Sequence, residues 1–588
     1  MKPRILAGVF LLTFSTLIFE VNLAAMFVAS TGHHFASVVV STALLGIGAA
    51  GIFLRLSPAT LGSVPWESTA LALSLSYPVS MAAAGLVAFD PVQLDWTVKE
   101  IFNLLLYYPI FAVPFFLSSL VVISVMKKRH ADSGKIYFAD MAGAALGGAG
   151  FLIASHFEKM PVIISTVFAL AGFHMFADGA SKWKKAALSV LPLLLLAVLY
   201  PRLEIPLSPY KELSQYRMFP GTKELNTFRG PEGRAVVVSS PLMRHAPGLN
   251  PIFGEAVPPG TGIFLNGDLY AVVPKGSAEY LKHLPATLPY RVRDKPEVLI
   301  IGANGVTEAY AAVAMGARRV TVVEEKKIAV SAIRETAFSG YELIRANPRA
   351  FLMKPETFDV ISIPYGGQAG VGAGVLSENF LFTKEFIELC LKNLKAGGLL
   401  VSTMPLLPPP RGEARLLRLM AETGDGPQSV AAFRSWGTFT VIMKNGKFSE
   451  NDIRDLRREA KALSLDAVYY PGMEKGEANQ KNRFNEPVYY ESAQKALRGE
   501  ETLFKTEPPT DDAPFFGNYL RLSRFTETRR ALDGRWLPIL TGGGMDVLII
   551  AQAGAVSFVM LLLPLFFKKG RRDASIWWIT YFLFLGAG

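Results

Sequence analysis

A water-facing α/β domain with a parallel, doubly wound sheet, inserted between α-helical transmembrane segments, is the fold that the sequence predicts. Three observations predict it: long charge-free stretches toward both ends of the chain, a polar middle of short apolar runs alternating with amphipathic segments, and a glycine turn joining two of those runs. The chain has 588 residues, more than one ordinary domain holds, and 51% of them are hydrophobic against 19% charged.

The charge-free stretches set the outer parts. Between Arg4 and Arg55 the sole formal charge is Glu20; residues 68–89, 101–126, 160–177, 186–201 and 547–567 carry none, and residues 136–157 carry only Asp140. Each is near the ~20 residues that a helix needs to cross a bilayer. The run 5–54 is long enough for two helices, with a break around Ser30–His34. The expectation is about seven spans in residues 1–201 and a further transmembrane part in residues 541–588, whose last span starts at Ile576 and is cut at Gly588 like a truncated end. Lys2 and Arg4 before an apolar core also suit a signal peptide, but no small-residue cleavage site stands out and Glu20 interrupts the run. The single cysteine, Cys390, excludes an internal disulfide. The net charge of +11 sits beside apolar runs, so membrane topology explains it, with the lipid bilayer as partner and no nucleic acid.

Lys2/Arg4, Lys127–Arg129 with Lys135, Lys182/Lys184/Lys185 and Lys568–Arg572 are the basic clusters. Basic residues collect in cytoplasmic loops; with the first cluster inside, alternating spans put all the others inside too. Seven spans then place residues 202–540 on the periplasmic or extracellular face of the cell's inner membrane. The short span 186–201, ending in Tyr200-Pro201, is the link that this count depends on.

Within the polar middle, residues 202–295 read as a small strand-rich unit and 296–540 as the α/β unit. Buried strands are expected at 297–301, 319–323, 358–363 and 399–402, separated by helical segments that include 383–395, with a closing hairpin of 430–436 and 438–444. Such a Rossmann-like sheet binds ligands at the carboxyl ends of its strands. Gly302-Ala303-Asn304-Gly305 is a tight turn opening a helix, where glycines admit a close ligand and free N–H groups face it. Glu324 follows 19 residues after Gly305, where an acid can hold both hydroxyls of a ribose. Gly302, Asn304, Gly305 and Glu324 are therefore the candidate nucleoside-binding residues; a packing turn with a solvated glutamate is the bland reading of the same pattern.

From Ser208-Pro209-Tyr210 to about Tyr519 the chain resembles the spermidine-synthase-like domain of multi-span bacterial membrane proteins. The resemblance rests on Leu265-Asn266-Gly267-Asp268, Glu279–Pro285, Val298–Gly305, Val322-Val323-Glu324, Leu376–Phe380 and Pro509–Phe516, and in the membrane part on Phe19-Glu20 and Tyr137–Gly147. It implies a Rossmann-like fold of the S-adenosylmethionine methyltransferase and spermidine synthase type. It also implies a transferase with S-adenosylmethionine or its decarboxylated form as co-substrate, and a nucleoside or polyamine-like ligand. Polyamine synthases carry an aspartate where this chain has Asn304, another where it has Pro364, and Tyr-His-Glu where it reads Tyr280-Leu281-Lys282. A cationic diamine needs carboxylates to bind it and a base to free its nitrogen, so spermidine synthesis is not expected. The catalytic assignment stays open among Glu308, Tyr280 and Tyr365. The rival reading is a non-catalytic, ligand-sensing or transport-associated membrane protein with a degenerate synthase domain.

Glu20 and Asp140 are ionisable groups inside apolar runs and are expected to face other helices. Gly143, Gly147, Gly148 and Gly150 suit close helix packing. His33-His34 has no further ligand nearby, so no metal site is expected, and Asp511-Asp512 is either pocket lining, a cation site or a polar turn.

Overall fold

The computed structural model describes residues 2–32, 35–57, 64–87, 89–90, 97–179, 181–275, 279–336, 340–354, 356–364, 378–532 and 544–566. Among them, seven α-helices precede the polar middle: α1 (Pro3–Ser30), α2 (Ala36–Leu56), α3 (Trp66–Ala84), α4 (Val98–Lys128), α5 (Ser133–Ala154), α6 (Met160–Phe176) and α7 (Lys182–Leu199). Five of the seven are long and apolar enough to cross a membrane: α1, α2, α4, α5 with its leading turn, and α7. The other two of the seven, α3 and α6, fall short of that measure for different reasons. Ser68, Ser74, Ser76 and Ser80 dilute α3, and α6 has 17 residues. After the polar middle, the apolar helix Gly544–Ser557 runs on through Phe558–Leu562 to Phe566 and packs on α2, where Leu561 meets Gly48. The span expected from Ile576, the cluster Lys568–Arg572 and His33-His34 lie outside the described residues.

Close approach of α1 and α5 depends on glycine. A Cβ on Gly147 would stand 2.5 Å from the Phe14 carbonyl oxygen, and one on Gly143 would strike the Phe10 carbonyl and the Thr13 hydroxyl. Pairing Gly143 with Phe10 and Gly147 with Phe14 makes the two helices parallel, with Asp140 level with Ala7. Glu20 is thirteen residues further along α1, about 20 Å at 1.5 Å per residue. Glu20 and Asp140 are both half-buried, yet they lie toward opposite ends of the pair and form no joint site.

The ends of the bundle differ. At one end Asp178 pairs with Lys2 at 2.8 Å and Arg4 at 2.7 Å, Trp66 packs edge-on against Phe176, and Lys128 lies over the Trp66 ring. At the other, the Ser208 N–H donates to the Ser30 carbonyl at 3.0 Å and Arg229 pairs with Glu158 at 3.1 Å. The polar middle is thus joined to the end opposite Lys2, Arg4 and Lys128.

Two sheets make up the polar middle. Strands β1 (Lys223–Gly230), β2 (Gly233–Ser239), β3 (Thr261–Leu265) and β4 (Asp268–Val273) form an antiparallel sheet in sequence order. The second sheet holds β5 (Glu297–Ile301), β6 (Arg319–Glu324), β7 (Glu342–Arg345), β8 (Phe358–Ser362), β9 (Leu394–Pro405), β10 (Val430–Arg434), β11 (Thr438–Lys444) and β12 (Asp466–Tyr469). Its order is β7-β6-β5-β8-β9-β11-β10-β12; β5 to β9 pair in parallel and β11, β10 and β12 antiparallel. Alternating side chains cover both faces. Leu299, Ile301, Ile361 and Leu400 pack with the helices 384–392 and 412–423 on one side. Val298, Ile300, Val322 and Val360 pack with the helices 306–314 and 450–462 on the other.

Gly147→Ala should lower the thermal midpoint of the detergent-solubilised full chain, through an overpacking cost of about 1–3 kcal/mol. Gly148→Ala, whose added Cβ would stay 3.6 Å from Leu17, should leave the midpoint unchanged or raise it.

Candidate functional site

β5 is apolar from Val298 to Ile301 and ends at Gly302, whose φ of +97° favours glycine. One tight turn, Ala303–Gly305, leads into the helix Val306–Ala314. The Gly302 N–H extends the strand ladder by donating to the Val323 carbonyl at 2.8 Å. The next N–H, of Ala303, donates to Oε2 of Glu324 at 2.8 Å. Turn and acid are therefore in direct contact at the carboxyl ends of two adjacent parallel strands.

Glu324 is 3% exposed and already occupied. Its Oε2 also accepts from the Tyr270 hydroxyl at 2.5 Å, and its Oε1 accepts from the Lys326 N–H at 2.7 Å. Burial and the Glu324 charge hold the Tyr270 hydroxyl well above the ordinary phenol range, which keeps it a donor. Tyr270 is on β4, so the small sheet reaches into the site, and Thr307 fixes the same contact by donating to the Val272 carbonyl at 2.9 Å.

Asn304 donates its side-chain amide to the Pro364 carbonyl at 2.8 Å. An aspartate there would set two acceptors against each other, so Asn304 and Pro364 are compatible with one another. Gly305 is needed because a Cβ would meet the Pro364 ring at 2.5 Å and Ile300 at 2.6 Å. One turn on, Glu308 accepts from the Ser362 hydroxyl at 2.6 Å. Burial pushes Glu308 up to about 7, against the Ser362 hydroxyl, which pulls it down. Glu308 is half-buried. Tyr290 stands close by, its phenol raised well above the usual range by burial and then by Glu308.

Residues 240–260 cross the same edge of the sheet. Trp436 donates its indole N–H to the Leu249 carbonyl at 2.7 Å, and Gly248 fits against Ser435 and Pro285. Burial pushes His245, in this segment, down to about 4, which leaves it neutral.

Gly302, Asn304, Gly305 and Glu324 thus form one cluster, with Glu308 beside it. Tyr280 is elsewhere: it is buried against Leu281, Leu284 and Ala311 on the flank of the helix 306–314, and burial pushes it up to about 12. Tyr365 lies outside the described residues. Two other residues singled out from the sequence are held elsewhere. Lys282, which follows Tyr280-Leu281, pairs with Glu279 at 2.8 Å on an exposed turn. Of the readings open for Asp511, the contacts fit the polar turn: Arg349 holds both its oxygens, at 2.7 and 2.6 Å, and Thr383 donates to it at 2.7 Å. Tyr270, Tyr290 and His245 escaped the sequence reading. Ser362 could have been found, as a lone hydroxyl near the carboxyl end of an apolar strand.

Solved structures that overlap part of the chain include three at 18% identity. They are spermidine synthase from Thermotoga maritima, covering 47% of this chain and 88% of that one at a TM-score of 0.30; spermidine synthase in complex with the transition state analogue AdoDATO, covering 47% and 87% at 0.30; and a probable spermidine synthase from Corynebacterium glutamicum ATCC 13032, covering 42% and 97% at 0.28. No protein-family model matches the chain, and no curated protein does.

Glu308 makes stability depend on pH. Its carboxyl keeps a proton up to about 7 when folded and to about 4.5 when unfolded, so the folded state binds the extra proton between those values. Stability then falls as pH rises through that window and is level on either side of it. Glu308→Gln should remove this slope: in the full chain, the denaturation midpoint of the variant relative to the unsubstituted protein should climb between the two values and stay level above them.

Proposed function

We propose that the chain is a multi-pass membrane protein whose residues 202–540 form a nucleoside-binding, spermidine-synthase-like domain on the periplasmic or extracellular face. In this reading residues 202–295 are its small strand-rich unit and 296–540 its Rossmann-like unit. The ligand is S-adenosylmethionine or its decarboxylated form, used in a transfer to an acceptor other than a diamine. The observation that carries the reading is the contact of the Ala303 N–H with Glu324 at the carboxyl ends of β5 and β6, the place where such sheets hold a ribose.

The acceptor side supports the exclusion of diamines. Asn304 and Pro364 leave an amide and a carbonyl where two carboxylates would hold an amine. Glu308, near 7 and beside Ser362, is the acid suited to moving a proton at neutral pH. The outward orientation is supported by the basic clusters Lys2/Arg4 and Lys127–Arg129, which share the end of the bundle opposite the Ser30–Ser208 contact.

Tyr270 favours a second reading, a ligand sensor without turnover. A ribose hydroxyl arriving at Glu324 would compete with Tyr270, which belongs to the sheet that Arg229 ties to Glu158 of the bundle. Ligand occupancy would then shift a contact shared with the membrane part.

Titrating the full chain in detergent with S-adenosylmethionine and with 5′-methylthioadenosine separates these readings. Binding is expected, weakened about 10–100-fold by Glu324→Ala and not weakened by Tyr270→Phe. No spermidine should form from putrescine and decarboxylated S-adenosylmethionine. Spermidine formation contradicts the acceptor assignment, absence of binding contradicts both readings, and binding without transfer to any acceptor leaves the sensor.

A further inference from the structure

An open groove of about 510 Å³ runs between the first turns of α1 and α5. Leu6, Ala7 and Phe10 form one wall, Phe138 and Ala142 the other, and Lys135 stands at its edge. The hollow exists because Ala7 and Ala142 are small where the helices part, just before Gly143 meets Phe10. In water an apolar hollow of this kind would be a liability. Between helices that span a membrane it is a slot for an acyl chain, an assignment that rests on the membrane reading under Proposed function.

The charges at this end specify the headgroup. The Lys135 side chain is 69% exposed and pairs only loosely with Asp132, at 3.6 Å. Segments 2–4, 127–135 and 182–185 hold nine lysines and arginines and one acid, Asp132, and Asp178 pairs with Lys2 and Arg4 beside them. Lysines at this depth extend toward the phosphate layer, and basic clefts between spanning helices hold anionic headgroups. The described C-terminal helix does not fill the slot, since it packs on α2 through Leu561 and Gly48. We propose that the α1–α5 groove binds an anionic phospholipid, with an acyl chain along Phe10 and Phe138 and the phosphate on Lys135.

The test counts lipids retained by the full chain in native mass spectrometry, using phosphatidylglycerol and phosphatidylcholine with the same acyl chains. The unsubstituted chain should prefer phosphatidylglycerol, and Lys135→Gln should cut that preference about five-fold. Ala142→Trp should displace one lipid of either kind. Both positions are on the bundle surface, and an unchanged helical spectrum checks folding. A preference indifferent to Lys135→Gln, a lipid count indifferent to Ala142→Trp, or a crosslink from Phe138→Cys to a second copy or to residues 567–588 overturns the proposal. Recovery of the chain in carbonate-washed membranes tests the membrane reading separately, so a failed lipid count there weighs against the groove alone.

Discussion

Two parallel strands, a glycine turn and a second sheet meet at one carboxylate. Glu324 is sealed from water, and a sealed carboxylate is tolerated only when donors surround it. The Ala303 and Lys326 N–H groups and the Tyr270 hydroxyl supply those donors. Each contact also fixes something else. The first sets the turn and so aims the helix 306–314, the second sets the chain leaving β6, and the third docks β4 on the edge of the large sheet. Removing the acid would take the acceptor from the buried Ala303 N–H, the part-buried Lys326 N–H and the Tyr270 hydroxyl, so Glu324 is a structural residue whatever else it does. A carboxylate has about four acceptor directions, and three are taken. A ligand hydroxyl therefore either uses the remaining direction on Oε1 or displaces Tyr270.

The membrane part obeys a different logic. Water cannot drive helices together inside lipid, so close contact and small residues must do it, and Gly143 and Gly147 let α5 approach the backbone of α1. The alternation of helix direction then sorts the loops. Basic segments collect at one end, and the loops that hold the polar middle collect at the other. The contacts that show this separation are independent of counting charges along the chain.

Much of the large sheet was legible because buried parallel strands read as continuous apolar runs: β5, β6, β8, β10 and β11 fall on the runs that the sequence marks. β7 and β12 were not, being short and carrying Glu342, Arg345 and Asp466. β9 starts earlier than its apolar core because Gly397, at a φ of +73°, lets the pairing with β8 slip and resume. In the site, Gly302, Gly305 and Glu324 were legible through local spacing. The Asn304–Pro364 bond spans 60 residues and the Tyr270–Glu324 bond 54, and periodicity carries no information over such distances.

The proposed activity requires that a nucleoside sit on the Glu324 cluster. Hydrogen–deuterium exchange of the full chain with and without 5′-methylthioadenosine tests that directly. Slower exchange is expected, concentrated in residues 302–308 and 324–327. Protection confined to other segments, with these amides unchanged under saturating ligand, would contradict it.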